Sequence, residues 1–123
     1  MATVELTNDN FAGHLSEDGI LLVDFWAGWC GPCRQFAPTF ERAAEANPDI
    51  VFGKVDTEAE QELSAAAGIR SIPTLMAFRD GILVFSQPGA LPADALEQVI
   101  TGVRDLDMDD VRKQVEEQQA AEG

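Results

Sequence analysis

The sequence predicts an α/β fold with a central mixed five-stranded β-sheet flanked by four α-helices. Apolar runs alternate with segments whose apolar residues recur at helical spacing, in the order β-α-β-α-β-α-β-β-α. The almost unbroken apolar run at residues 20–26 is typical of a strand covered on both faces. Asp80-Gly81 predicts a hairpin between the last two strands, which makes part of the sheet antiparallel.

The first half of the chain supplies three of the strands and two of the helices. Thr7 or Asn8 can cap the first helix. The second helix has Pro38 in its interior, which should kink it because the hydrogen bond to the Arg34 carbonyl is lost. Strands are expected at residues 3–6, 20–26 and 50–55, and helices at residues 8–15 and about 30–46.

The second half supplies a helix, the hairpin and a final helix. Gly68 is placed to end the first of these helices, and Gly89 interrupts the chain after the hairpin. The final helix carries its apolar residues on one face. The expected bounds are residues 58–67 for the first helix, 74–79 and 82–85 for the hairpin strands, and 92–103 for the final helix.

Composition limits the classes of partner. The chain has 22 acidic and 8 basic residues, a net charge of −14, which argues against nucleic acid or an anionic membrane as a partner. The charge either steers the protein towards basic surfaces or serves solubility alone, and we favour solubility. No apolar stretch approaches the roughly 18 residues of a membrane span, and the N-terminus does not resemble a signal peptide. We therefore expect a cytoplasmic protein.

The last 19 residues differ from the rest, so we expect a domain at residues 1–104 and an acidic extension at residues 105–123. The extension has seven acidic and two basic side chains, and Asp107 can cap a helix there. Met108, Val111 and Val115 form a thin apolar stripe. The extension is either a helix that docks on a partner or a frayed, solvated continuation of the final helix. We favour the second interpretation because three apolar residues bury little area.

Both cysteines of the chain lie in Trp29-Cys30-Gly31-Pro32-Cys33. Two thiols at this spacing can form and reopen a small disulfide ring, as a dithiol redox catalyst requires. Structural zinc would need two further ligands, and the one histidine, His14, is distant in sequence. A purely structural disulfide is disfavoured because so short a loop removes little entropy from the unfolded chain.

The position of the motif distinguishes the two sulfurs. A strand ends just before it and a helix begins within it, so the helix N-terminus can stabilise a thiolate on Cys30. Pro32 suits the first helical turn, and Gly31 leaves the Cys30 sulfur open. Cys33 lies one turn into the helix. We therefore expect Cys30 to be the exposed, reactive sulfur and Cys33 the buried one.

Asp24 is a carboxylate in the middle of an apolar strand. If it is buried, its pKa should rise, which suits a proton shuttle near neutral pH. The alternative is that it points outward at a sheet edge, but apolar neighbours on both sides favour burial. Lys54 is a similarly isolated charge in the strand at residues 50–55 and is a candidate partner for Asp24.

The chain resembles the thioredoxin family from about residue 3 to residue 104. A Cys-x-x-Cys pair alone is a weak signal, but an ordered series of motifs at the expected separations is specific. The series consists of Val23-Asp24-Phe25-Trp26-Ala27, Trp29-Cys30-Gly31-Pro32-Cys33, Pro38, Lys54-Val55-Asp56, residues 68–75, Gly81 and Gly89-Ala90. The resemblance covers the predicted domain and says nothing about the acidic extension.

The resemblance implies a role for each matching residue. Cys30 matches the attacking cysteine and Cys33 the resolving cysteine. Asp24 matches the buried acid that assists proton transfer at Cys33, and Lys54 matches its neighbour. Pro73 matches a cis-proline, although a proline alone has only about a 5% prior of being cis.

The resemblance also implies where substrate binds. The loop formed by Arg70, Ser71 and Ile72 would face the cysteines and offer backbone groups to an extended substrate, as a strand partner would. Pro73, which follows this loop, would belong to the same substrate-binding surface. An apolar rim for docking would surround the pair. Its members would be Trp29, Gly31, Pro32, Ile72, Gly89 and Ala90.

The implied activity is protein-disulfide reduction on disulfide-containing protein substrates, with re-reduction by an NADPH-dependent thioredoxin reductase. We expect a monomer with no bound cofactor or metal, its redox group being the Cys30–Cys33 disulfide. The alternatives are a disulfide oxidase or isomerase and a binding or chaperone-like module. Gly31-Pro32 favours reduction because oxidising relatives usually have histidine in the spacer. Departures from the family are Arg34 in place of lysine, the bulky Phe36 and the absence of tyrosine.

Overall fold

The computed structural model describes residues 2–122, which form a five-stranded sheet in the order β1-β3-β2-β4-β5. β1, β2 and β3 run parallel, and β4 and β5 add an antiparallel hairpin beside β2, so the predicted mixed sheet is confirmed. The strands are β1 Val4–Glu5, β2 Ile20–Trp26, β3 Val51–Asp56, β4 Thr74–Arg79 and β5 Ile82–Pro88. The helices are α1 Phe11–Leu15, α2 Gly31–Ala46, α3 Gln61–Ala66, α4 Ala93–Arg104 and α5 Met108–Glu122.

Side chains of β2 alternate between two apolar layers, as period-2 geometry requires. Leu22 packs with Phe36 and Phe40 of α2 and with apolar residues of α4. Val23, on the opposite face, belongs to the layer that contacts α1 and α3. Burial on both faces explains why this strand is a nearly continuous apolar run. The single interruption of that run is Asp24, on the face that α2 covers.

Two helix starts were predicted too early. α1 begins at Phe11, not at residue 8, and neither Thr7 nor Asn8 caps it; instead the Thr7 N–H donates to Asn10 Oδ1 at 2.7 Å. α3 begins at Gln61, not at residue 58, because Asp56 Oδ1 accepts the N–H groups of two turn residues, Glu58 and Ala59. In both places a short polar side chain binds nearby backbone and holds a turn where composition favours a helix.

The acidic extension forms a separate fifth helix, so its interpretation as a frayed continuation of α4 is wrong. α4 ends at Arg104, and α5 begins at Met108 after a break. The predicted cap is confirmed, because Asp107 Oδ1 accepts the N–H groups of Asp109 and Asp110 at 3.1 and 3.3 Å. Met108 is buried in the domain.

The start of α5 is attached to the hairpin by two arginines. Arg79 of β4 donates from Nη1 to the carbonyl oxygens of Val103 and Arg104, in the last turn of α4, and of Leu106, just after it, at 2.8 to 3.1 Å. Arg112 of α5 forms an ion pair with Asp80 at the hairpin turn. The last carbonyls of a helix lack partners in a following turn, so the Arg79 guanidinium helps to satisfy them and fixes the direction of the chain into α5.

Candidate active site

The two cysteines lie where β2 gives way to α2. Cys30 is the N-cap residue of α2, with extended backbone angles (φ −87°, ψ 114°), and Cys33 lies in the first turn. Their Cα atoms are 5.2 Å apart and a disulfide joins them. Gly31 and Pro32 occupy the first helical positions, where the missing proline N–H leaves no helical hydrogen bond unmade. The predicted start of the helix within the motif is confirmed.

The Cys30 sulfur takes the place of a capping oxygen. Its Sγ accepts the backbone N–H of Cys33 at 3.2 Å. The Ile72 carbonyl oxygen approaches the same sulfur to 3.7 Å. An N–H group and the positive end of the α2 dipole therefore point at this sulfur, and both stabilise negative charge on it.

The expected difference in exposure between the two cysteines is wrong for the disulfide form. Cys30 is 4% exposed and Cys33 is 3% exposed. Both pack against Ala27, with Trp26 and Ile72 at the edge of the cluster. The sulfurs differ in their position relative to the helix, not in their accessibility: Cys30 caps the helix and Cys33 belongs to its first turn.

The loop that precedes β4 brings backbone groups to the disulfide. The Ile72–Pro73 peptide bond is cis, as the resemblance implied. The Thr74 hydroxyl donates to the Ser71 carbonyl at 2.6 Å and holds the loop at its base. The N–H of Gly89 donates to the Pro73 carbonyl at 2.7 Å, so the end of β5 lies beside the proline.

The predicted substrate-binding residues divide into two groups. Trp29, Arg70, Ser71 and Ile72 line a groove of about 360 Å³ that is completed by α3 and residues next to it. The remaining five do not line this groove. Of these, Pro32, Gly89 and Ala90 are exposed, Gly31 is half-buried and Pro73 is fully buried.

Asp24 is fully buried, which confirms the predicted burial and excludes an outward-facing position. Neither carboxylate oxygen has a hydrogen-bond partner among the described residues. Burial raises the pKa of Asp24 to about 7, and the positive charge of Lys54 opposes part of that rise. Lys54 lies directly opposite Asp24 in the β2–β3 register, as a partner should.

Trp26 links Lys54 with the cysteine cluster, and the sequence analysis did not predict it as a site residue. The Lys54 Nζ lies 5.0 Å from the centre of the Trp26 ring, and the same side chain packs against the disulfide cluster. A signal for it was present, since residues two apart in a strand share a face and Trp26 is two residues after Asp24.

Glu58 was also missed, and no sequence pattern marks it. Trp29 is 68% exposed, yet its Nε1 donates to Glu58 Oε1 at 2.7 Å. Residues 57–60 were expected to belong mostly to a helix. In the structure a turn replaces the start of that helix, and this turn directs the Glu58 carboxylate towards the Trp29 indole.

Elsewhere in residues 2–122 the structure offers little competing chemistry. No group of three or more histidine, cysteine or acidic side chains is placed to hold a metal ion. None of the described helices combines the length and apolar character needed to cross a bilayer. A larger apolar groove of about 480 Å³ lies between β5 and α4, and no cysteine, histidine or acidic residue lines it. The Cys30–Cys33 disulfide is a redox-active group that the described structure contains.

Comparisons with known proteins agree with this geometry. A family model described as thioredoxin matches residues 2–102. The Streptomyces coelicolor protein named "Putative thioredoxin 2" is 62% identical over 122 residues, 99% of this chain and 91% of the relative. Thioredoxin of Bacillus subtilis is 39% identical over 101 residues, covering 81% and 96% of the two chains. The structure of Malassezia sympodialis thioredoxin (Mala s 13) matches at 31% identity and a TM-score of 0.74, covering 81% of this chain and 89% of that one.

The raised pKa of Asp24 makes this residue destabilising at neutral pH. Between pH about 4 and 7 the folded carboxyl keeps a proton that the unfolded chain releases, so stability falls as pH rises through this window. We expect Asp24→Asn to increase the free energy of unfolding at pH 8 by on the order of 4 kcal/mol at most. The gain should vanish near pH 4. Chemical denaturation across this range measures it.

The control for this measurement is Glu45→Gln, which changes an exposed carboxylate of α2 and should give no pH-dependent gain. A gain from Asp24→Asn that is equal at pH 4 and pH 8 would contradict the account, because it could not arise from ionisation of the buried carboxyl.

Proposed function

This chain belongs to the thioredoxin family and is a protein-disulfide reductase, and from that premise we propose that Cys30 is the attacking cysteine and Cys33 the resolving cysteine. The observation that carries this proposal is the capping position of Cys30, whose sulfur accepts the Cys33 N–H at the start of α2. The thiolate is the reactive form of cysteine, and a helix N-terminus favours the thiolate.

Reduction proceeds by two thiol–disulfide exchanges. The Cys30 thiolate attacks a substrate disulfide, forms a mixed disulfide, and one substrate sulfur leaves as a thiolate that takes up a proton. Cys33 then loses its proton and attacks Cys30, which breaks the mixed disulfide and releases the second substrate sulfur. The substrate gains two electrons and two protons, and the protein ends with the Cys30–Cys33 disulfide seen in the structure.

Asp24 is proposed as the group that accepts the Cys33 proton in the second exchange. A pKa of about 7 leaves comparable amounts of the acid and the carboxylate at neutral pH, which suits a group that must take and return a proton. Its location on the face covered by α2, the helix that carries Cys33, supports the assignment. Lys54 is proposed to keep part of Asp24 ionised, since its charge lowers the Asp24 pKa.

Substrate is proposed to lie as an extended segment along Arg70, Ser71 and Ile72, with a side chain in the groove beside Trp29. The Ile72 carbonyl already lies next to the Cys30 sulfur, where the backbone of a bound disulfide segment would pass. The predicted rim residues that do not line the groove complete the proposed docking surface. They are Gly31, Pro32, Gly89 and Ala90, with Gly31 only partly accessible.

The cellular setting is proposed from the family. Disulfide-containing proteins are the substrates, and an NADPH-dependent thioredoxin reductase returns electrons to the pair, so the protein acts in electron transport in the cytoplasm as a monomer. The charge of −14 supports a role without nucleic acid or membrane partners. Residues 1–104 are proposed as the catalytic domain and residues 105–123 as an appended segment, in keeping with the family match at residues 2–102.

The division of roles between the cysteines predicts that two serine variants both lose turnover and that only one of them accumulates mixed disulfides. Cys30→Ser should abolish reduction of insulin because no attacking sulfur remains. Cys33→Ser should also stop turnover, but it should accumulate mixed disulfides on Cys30 that mass spectrometry of the non-reduced protein detects. The assignment would be overturned if Cys30→Ser still reduced insulin, or if Cys30→Ser formed mixed disulfides on Cys33.

The proton-transfer role of Asp24 predicts a slower second exchange in Asp24→Asn. We expect release of the mixed disulfide to slow by about 100-fold, as for loss of a general base. In the unmodified protein the rate of release should rise as the pH rises through about 7, the pKa of Asp24. This rise in rate should be absent in Asp24→Asn. Rapid-quench measurement of the mixed disulfide tests this. An unchanged rate and pH profile would remove Asp24 from the mechanism.

A further inference from the structure

A continuous apolar surface lies at the β5 edge of the sheet. One groove of about 480 Å³ lies between β5 and α4, and another of about 320 Å³ lies between β5 and α5. Val84 and Leu106 line both grooves, so the two are continuous, and neither groove shares a lining residue with the one beside Trp29. We define the apolar strip by six half-buried side chains that line one groove or both: Val84, Leu91, Val99, Leu106, Val111 and Val115.

A bulge in β5 contributes to the width of the apolar strip. Leu83 lies opposite Phe78 and Phe85 lies opposite Ala77, so Val84 is an additional residue in the β4–β5 register. Val84 and Phe85 are consecutive, yet both pack against the apolar layer that α2 and α4 share with the sheet. In a regular strand the two side chains would point to opposite faces. The bulge therefore places two neighbouring apolar side chains beside α4.

The β5 strand lacks the usual protection of a sheet edge. Its only neighbour in the described sheet is β4, and residues 82–88 contain no charged side chain. Natural edge strands are normally charged or covered, because an apolar edge associates with other chains. Leu83 is 49% exposed, and the six residues of the apolar strip are only half-buried. The helices α4 and α5 therefore leave part of an apolar surface open to contact.

Acidic side chains border the apolar strip. Residues 93–122 contain nine acidic and three basic residues. Two of the basic residues, Arg104 and Arg112, already form ion pairs within the structure. Among the described residues no charged side chain lines either groove, but the exposed Asp105 and Glu117 each directly precede a residue that does. The surface thus combines an uncharged apolar centre with an acidic border.

This distribution of charge favours one kind of occupant. A second copy of the chain would bring two sets of the same acidic residues together, and an anionic lipid or a fatty acid would be repelled. A neutral apolar molecule would make no use of the acidic border. A protein segment with apolar residues flanked by lysine or arginine suits both features, since its cations meet the acidic border and its apolar residues fill the grooves.

We propose that the apolar strip is a docking surface for an amphipathic helix of a partner protein, with lysine or arginine flanking the apolar face of that helix. Each groove lies between a helix and an edge strand. An amphipathic helix binds a groove through apolar residues three and four positions apart. The apolar strip does not include the disulfide or the groove beside it, so this docking goes beyond disulfide reduction.

The experiment measures the binding of three synthetic peptides of about 18 residues, or five helical turns, to the full-length protein by fluorescence anisotropy. The first peptide has leucine and lysine placed to form an amphipathic helix, and the second has glutamate in place of lysine. The third has the leucine and lysine content of the first in an order without helical periodicity. Proton–nitrogen correlation spectra of the protein then locate the bound peptide.

We expect the first peptide to bind at least about tenfold more tightly than the other two. Amide signals should shift in β5, α4 and α5 and not around Cys30. The proposal would be overturned if the first peptide did not bind, if the scrambled peptide bound equally well, or if the shifts were confined to the surroundings of Cys30.

The double variant Asp105→Asn/Glu117→Gln tests the acidic border. Its matched control is Asp9→Asn/Glu45→Gln, which removes the same amount of charge at exposed positions that line neither groove. At low salt the first variant should bind the leucine–lysine helix about fivefold more weakly, the size expected for two exposed charge pairs. The control should bind within about twofold of the unmodified protein, since distant exposed charges are screened. An equal loss in both variants would contradict the proposal.

The double variant Val99→Ala/Val115→Ala tests the apolar contacts, with Val4→Ala on β1, at the opposite edge of the sheet, as its control. Binding of the leucine–lysine helix should weaken about tenfold in the double variant and stay unchanged in the control. Insulin reduction should be unchanged in both. If thermal denaturation shows that the double variant is unfolded, the charge variant decides, because it removes no apolar contact. A dimer of the unmodified protein in sedimentation equilibrium that the double variant loses would make a second copy the occupant and overturn the proposal.

Discussion

The whole site depends on one placement, that of the Cys30 sulfur at the N-terminus of α2. For that sulfur to accept the Cys33 N–H, β2 must end at Trp26 and α2 must begin at Gly31, with only residues 27–30 between them. The apolar run of β2 and the Gly31-Pro32 start of α2 define these limits. The loop before β4 then completes the surroundings by bringing the Ile72 carbonyl to the same sulfur.

The site also contains a buried acid, Asp24, which lowers the stability of the fold at neutral pH. Asp24 lies in the layer between the sheet and α2, without a hydrogen-bond partner among the described residues, and burial raises its pKa to about 7. A leucine there would fit the rest of the apolar run better. Retaining a carboxyl at such a site makes sense if a proton must move there, since the same burial that destabilises the fold brings the pKa to a useful value. Lys54 limits the cost by favouring the ionised form.

Features encoded by local patterns could be predicted from the sequence, and features that depend on side chains meeting across the fold could not. The bounds of β2 and β4, the start of α2 and the burial of Asp24 are as expected from such patterns. The cis bond before Pro73 is also as expected, but the expectation came from the family resemblance and not from the local sequence. The starts of α1 and α3 depend on hydrogen bonds that the side-chain oxygens of Asn10 and Asp56 accept from nearby backbone N–H groups. These bonds compete with helix formation and leave no periodic signal in the sequence. α5 was undervalued because its attachment uses Arg79, 24 or more residues away in sequence. The Trp29–Glu58 hydrogen bond could not be predicted for the same reason, because the two residues are far apart in sequence. The burial of Cys30 results from packing against Ala27 and Ile72, which the spacing of the cysteines does not reveal.

The most direct test of the account is the order in which the two thiols of the reduced protein react with iodoacetamide at pH 7. If the helix N-terminus stabilises the Cys30 thiolate, peptide mass spectrometry should find Cys30 alkylated first and faster than free cysteine, and Cys33 largely unmodified. The two residues are almost equally buried in the disulfide form, so accessibility alone predicts no such order. Equal rates, or modification of Cys33 before Cys30, would contradict the claim that position on α2 makes the two sulfurs unequal.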